Sequence, residues 1–215
     1  MFISAFLIQR SNQKKSKVSI SPIRQSKAYR SALLLFFVCS ACKPLFSTDS
    51  TPASPEKIVN LAPIYRLGKI AIAPPAGWQP VRVSGIKYPV FSLDRSTSIS
   101  LVEENLLGRP PSSLEAFIQT NLQGMAIAFQ NWRQISQADF QTTKGMSGKV
   151  VISQSQQLNV ALHQRLYFFT TDSSKAQKLI VICGGKLEAA AELESTCNAS
   201  VKTLVVSPWD LSPRI

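Results

Sequence analysis

The sequence predicts an α+β domain in which an antiparallel β-sheet is flanked by helices, and three observations carry that expectation. Short runs of alternating apolar and polar residues, separated by turn-forming residues, fill most of the chain between Leu67 and Val206. The apolar period becomes helical in only two places, once after four strands and once after several more. Strands that follow one another in this way connect by hairpins rather than by repeated βαβ units. The stretch also has no internal repeat, and its roughly 140 residues suit a single core, so one domain is expected.

The first strand is expected over residues 67–73, where Leu67, Ile70 and Ile72 are apolar, and it stops at Pro74-Pro75-Ala76-Gly77. A second, over 78–84, would turn Trp78 and either Val81 or Val83 inward, and 90–93 and 99–103 give two more. After the break at Pro110-Pro111, Ser112 and Glu115 stand at capping-box spacing, and Leu114, Phe117, Ile118, Leu122, Met125 and Phe129 recur with a helical period. That is one amphipathic helix. Strands over 132–142, 149–155, 160–170 and 179–183 follow, divided by the glycine-containing stretch 143–148 and by Gln154-Ser155-Gln156-Gln157. The final segment, 186–204, sets Leu187, Ala190, Leu193, Cys197, Val201 and Leu204 on one helical face, with Glu188, Glu192 and Lys202 largely on the other.

The chain before this domain reads as an export signal. Residues 1–41 hold seven Lys or Arg and no acidic residue, and the apolar run Leu33-Leu34-Leu35-Phe36-Phe37-Val38 leads to Cys39-Ser40-Ala41-Cys42. The run is too short to cross about 30 Å of hydrocarbon as a helix, which needs roughly 20 residues. Small residues directly before Cys42 resemble the bacterial lipobox, although Cys39 stands where that pattern usually has Leu. The resemblance implies cleavage before Cys42 and lipid attachment to it. A plain secretory signal cut near Ala41 is the alternative. The long stretch before the apolar run, with its apolar first eight residues, fits a start codon assigned too far upstream, with initiation near Val18 or later. Residues 42–66 then read as the lipid-bearing cysteine and a tether, because Ser47, Thr48, Ser50, Thr51, Pro52, Ser54 and Pro55 carry no hydrophobic period and bury too little to offset ordering entropy. Residues 207–215 form a tail.

Charge narrows the partners. The full chain carries 24 Lys+Arg against 12 Asp+Glu, a net +12, but from Cys42 onward the balance is 17 against 12, or +5. Without a run of adjacent cations this excess suits a solvated surface better than a nucleic-acid groove. The expected contacts are a membrane, through the N-terminal lipid, and a protein partner in the envelope. A cytoplasmic protein with a basic arm is the competing reading, and the Leu and Phe of the apolar run argue against it.

The order of elements, Pro75-Ala76-Gly77-Trp78 after the first strand, the hairpin around Gly145 and the closing Ala199-Ser200-Val201-Lys202 resemble the PsbP-like and DcrB-like families. The resemblance covers residues 67–206. It implies an α/β/α sandwich used in docking and assembly, with lipid-anchored bacterial members and no general enzymatic activity.

Candidate chemistry is sparse. Once Cys39 leaves with the signal and Cys42 carries lipid, Cys183 and Cys197 form an even pair, either a disulfide or two buried free thiols. A bridge would be worth roughly 3 kcal/mol, but Cys197 lies about 15 Å along its helix. The helix would have to double back over the strand. His163 is the one histidine available to a Ser-His-Asp arrangement, no Gly-x-Ser-x-Gly elbow accompanies it, and it is read as structural. Glu103 and Glu104, adjacent on a strand, point to opposite faces and are read as a strand end facing water. Gly184-Gly185 before the last helix is read as a turn, with an anion site at the helix start as the alternative. Trp78 and Trp132 are expected in the core and Trp209 in an exposed tail. No catalytic residue, metal site or cofactor is expected. The functional expectation is a lipid-anchored, non-enzymatic binding or assembly module of the bacterial cell envelope, with its domain on the extracytoplasmic side. An apolar-ligand binder and an unrecognised envelope hydrolase are the rivals.

Overall fold

A computed structural model describes residues 58–105, 113–171 and 177–207. The signal region, Cys42, most of the tether, Ser112 and Trp209 lie outside the described residues. In chain order the elements are β1 (Tyr65–Leu67), β2 (Ile70–Ile72), β3 (Gln79–Val81), β4 (Val90–Ser92), β5 (Ser98–Asn105), α1 (Leu114–Ala128), β6 (Gln130–Gln141), β7 (Ser147–Gln157), β8 (Val160–Thr170), β9 (Gln177–Lys186), a single 3-10 turn at Leu187–Ala189, α2 (Ala190–Lys202) and β10 (Val205–Val206). Seven strands pair antiparallel in the order β3-β4-β5-β9-β8-β7-β6, and β1, β2 and β10 form a second, small sheet in the order β1-β2-β10.

Both faces of the large sheet are covered, and the strand period of two decides which residue meets which cover. Leu162, Leu166 and Phe168 of β8, with Ile180 and Ile182 of β9, pack under Phe117, Ile118, Leu122 and Met125 of α1. Tyr167 and Phe169, with Leu179, Val181 and Cys183, take the opposite side, where Leu193, Cys197 and Val201 of α2 join Ile70 and Ile72 of the small sheet. The result is helix, sheet, and a third layer shared by a helix and a small sheet. Continuous burial along β8 and β9 follows from this two-sided cover.

Several local expectations are corrected. The stretch 67–73 is a hairpin corner, because Gly68 adopts φ 64° and lets β1 fold back on β2. Tyr65 and Arg66 therefore belong to the domain, as does Leu61, which bridges Pro75, so the folded region starts before Leu67. At its other end the backbone N–H of Ser207 donates to the Lys69 carbonyl at 2.8 Å. Strand β3 is three residues long and Val81 faces water, while Trp78 is buried just before it. The helix cap is Ser113, whose Oγ accepts from the Ala116 N–H at 3.1 Å, and Glu115 instead accepts from Gln137 Nε2 at 2.7 Å. Strand β7 runs through the expected turn at 154–157, and the chain reverses at Leu158-Asn159, both at positive φ. Trp132 is partly buried, against the α1 core.

Gly184 and Gly185 are strand residues, paired across β8 with Gln164 and His163. They form no turn. A Cβ on Gly185 would come within 3.3 Å of the Leu193 side chain, so its absence lets α2 lie close on β9. That close return doubles the helix back over the strand and brings Cys197 to Cys183, with Cα atoms 6.3 Å apart and a disulfide between them.

Candidate functional site

The third layer leaves an opening where the β1–β2 hairpin faces the loop between β3 and β4. This cleft, about 730 Å³, is lined by Tyr65, Arg66, Leu67, Gly68, Lys69, Arg82, Lys87, Tyr88, Pro89, Glu103 and Gln177. Arg66 and Lys69 come from the hairpin, Arg82 and Lys87 from the loop, Glu103 from β5 and Gln177 from the start of β9. Four cations thus meet one carboxylate. Tyr65 is fixed edge-on against Phe91 of β4, with ring centres 5.2 Å apart, which ties the hairpin to the large sheet.

Glu103 is the electrostatic centre of the floor. It accepts from Tyr88 Oη at 2.7 Å and from Lys87 Nζ, with which it forms an ion pair. Burial pushes its carboxyl upward, but the hydrogen bonds from Lys87 and Tyr88 and the charges of Lys87 and Lys69 outweigh it and hold the group below its ordinary value. The pairing with Glu103 raises Lys87, while burial raises the Tyr88 phenol. Glu103 is therefore ionised and engaged. The expectation that it faces water is corrected: its side chain is 17% exposed. Glu104 points to the other face, as the strand period requires, across from the fully buried Lys178 in the β5–β9 register.

His163 stands on β8 opposite Gly185 of β9. It is buried on β8, and neither ring nitrogen has a hydrogen-bond partner among the described residues. Burial, and then the charge of Arg165, lower its pKa. Its neighbourhood is a buried polar cluster: Arg165 pairs with Glu194 at 2.9 Å and donates to Tyr167 Oη at 3.1 Å and Asn198 Oδ1 at 3.3 Å, while Tyr167 Oη donates to Asn198 Oδ1 at 2.7 Å. Burial pushes the Tyr167 phenol up to about 12. These contacts pin α2 to β8 and leave Glu194 occupied. Among the described residues no group of three or more His, Cys, Asp or Glu could hold a metal ion, and no helix is long and apolar enough to cross a membrane.

No family model and no curated protein matches the chain. Solved structures resemble it. LpqN of Mycobacterium tuberculosis, described as involved in cell envelope biogenesis, superposes with a TM-score of 0.53 at 10% identity over 66% of this chain and 86% of its own. The cyanobacterial PsbP, CyanoP, from Synechocystis sp. PCC 6803 gives 0.48 at 11% identity over 71% and 96%. PA94 of Pseudomonas aeruginosa, a protein of unknown function described as a putative regulator, gives 0.47 at 16% identity over 69% and 99%.

The cleft was the feature that sequence reasoning missed. Its cations stand at 66, 69, 82 and 87, in two segments joined by buried or turn-forming residues, so they make no charge run. The signal available was the local pair of them on each side of Pro74-Pro75-Ala76-Gly77.

Proposed function

We propose that this protein is a lipid-anchored, non-enzymatic binding module of the bacterial cell envelope, tethered through Cys42 and working through the cleft between the β1–β2 hairpin and the β3–β4 loop. The observation that carries the binding reading is the state of the cleft's one carboxylate. Glu103 is held by Lys87 and Tyr88, so the recess offers hydrogen-bond donors and positive charge without a base free to take a proton. The four cationic side chains in the lining suit a charged ligand better than an apolar one.

Three further features support an extracytoplasmic setting. The disulfide between Cys183 and Cys197 is the kind of bond that persists in oxidising compartments. Seven cations without an acidic residue precede an apolar run and Cys42. LpqN, which shares the fold, is described as acting in cell envelope biogenesis. Metabolic labelling with radioactive palmitate tests the anchor: the parent chain is expected to be marked and to sediment with membranes, and Cys42→Ala to do neither. An unmarked parent that fractionates like Cys42→Ala would overturn it.

A further inference from the structure

The electrostatics of the cleft's lining are unbalanced. Arg66, Lys69 and Arg82 form no ion pair or side-chain hydrogen bond with any described residue, and Arg66, Lys69, Arg82 and Lys87 against Glu103 leave the lining at a net +3. Like charges held around a recess repel, so the domain spends stability to keep them there. An anion of matching charge would reverse the sign of that cost.

Geometry narrows the anion. The cationic lining comes from two separate segments of the chain, Arg66 on β1 and Lys69 at the hairpin corner from one, Arg82 and Lys87 on the loop after β3 from the other. A carboxylate offers one coplanar pair of oxygens and so satisfies one guanidinium fork at a time. A tetrahedral phosphoryl group presents three oxygens in different directions and serves two forks and an ammonium together. Glu103 also keeps Lys87 in place, and its negative charge at the floor directs a ligand toward the outer cations. Tyr65 adds a neutral hydroxyl to the lining.

We propose that the cleft binds a polyanionic phosphate-bearing ligand, its phosphoryl group clamped between Arg66 and Arg82 with Lys69 as third partner. This deepens the binding reading above and rests on it for the site, but not on the lipid at Cys42. The two tests therefore fail separately: an unlabelled chain that still binds phosphate removes the anchor alone.

The experiment is isothermal titration of the full chain with pyrophosphate, and with citrate as a carboxylate polyanion of similar charge. A parallel arm measures co-sedimentation with phosphatidylcholine vesicles with and without phosphatidylglycerol. The chains compared are the parent, the triple variant Arg66→Ser/Lys69→Ser/Arg82→Ser, and a control triple, Lys144→Ser/Lys186→Ser/Lys202→Ser, which removes the same charge outside the cleft. Thermal melts establish that each is folded. Pyrophosphate is expected to bind the parent and the control alike, the cleft triple about a hundredfold more weakly, and citrate to bind the parent at least about tenfold more weakly. A cleft triple that loses pyrophosphate but not phosphatidylglycerol supports a soluble phosphate ester, and loss of both supports a lipid headgroup. Equal loss in the two triples, citrate binding as tight as pyrophosphate, or no binding by the folded parent would overturn the proposal.

Discussion

At the scale of single residues, the two titratable groups that the fold perturbs most informatively are Glu103 and His163, and they do different work. Glu103 tempers the cleft. Replacing it by Gln keeps an acceptor for Tyr88 and Lys87 but removes the one negative charge among four positive ones, so Glu103→Gln should bind pyrophosphate about fivefold more tightly than the parent. Unchanged or weaker binding in the same titration would contradict the cleft's charge accounting. His163 reports on stability. Its folded pKa lies below 6.5, the cause being burial and then Arg165, so the unfolded chain binds the proton first. Stability is therefore complete above the unfolded value and falls as pH drops through it, levelling only below the folded value. The Tm of the parent should decline on acidification from about pH 7, and His163→Gln should remove part of that slope. Parallel pH profiles would show that the histidine is not the group responsible.

Elements show how far sequence period reaches. Strands β5 to β9 and both helices were legible because each is long enough to repeat its period several times, as Leu162, Leu166 and Phe168 do on one side of β8 and Tyr167 and Phe169 on the other. The hairpin β1–β2 was hidden because its strands are three residues each, too short to show a period, and the break depends on the backbone of Gly68. Trp78 was legible as core and Val81 was not, since an edge strand of three residues has a free face to offer water. The cleft required the third layer to be placed before its cations could meet. Helix geometry in the sequence leaves the pairing of Cys183 and Cys197 open, and what decides it is the missing Cβ at Gly185 beneath Leu193. With the cysteines 14 positions apart in sequence, opening the bridge should cost about 3 kcal/mol. The double variant Cys183→Ser/Cys197→Ser is expected to melt roughly 10 °C below the parent by circular dichroism. An unchanged melt would mean that the bridge does not constrain the unfolded chain.

For the whole molecule, the charge distribution and the cysteine chemistry point the same way. Over half of the net positive charge lies before Cys42, in the segment that an export signal would remove, and the remaining +5 is concentrated in part around one cleft. The cleft combines an engaged carboxylate, Glu103, with three cations, Arg66, Lys69 and Arg82, that have no ion-pair partner among the described residues, and this is the charge pattern behind the proposed anion binding. The most direct test of this account is the intact mass of protein extracted from membranes without reductant. Lipid anchoring at Cys42 and the closed bridge together predict a chain that begins at Cys42, carries the mass of a lipid group, and is lighter by the pair of hydrogens lost in joining Cys183 to Cys197. A chain that retains the residues before Cys42, has no added lipid mass and contains both cysteines as free thiols would contradict it.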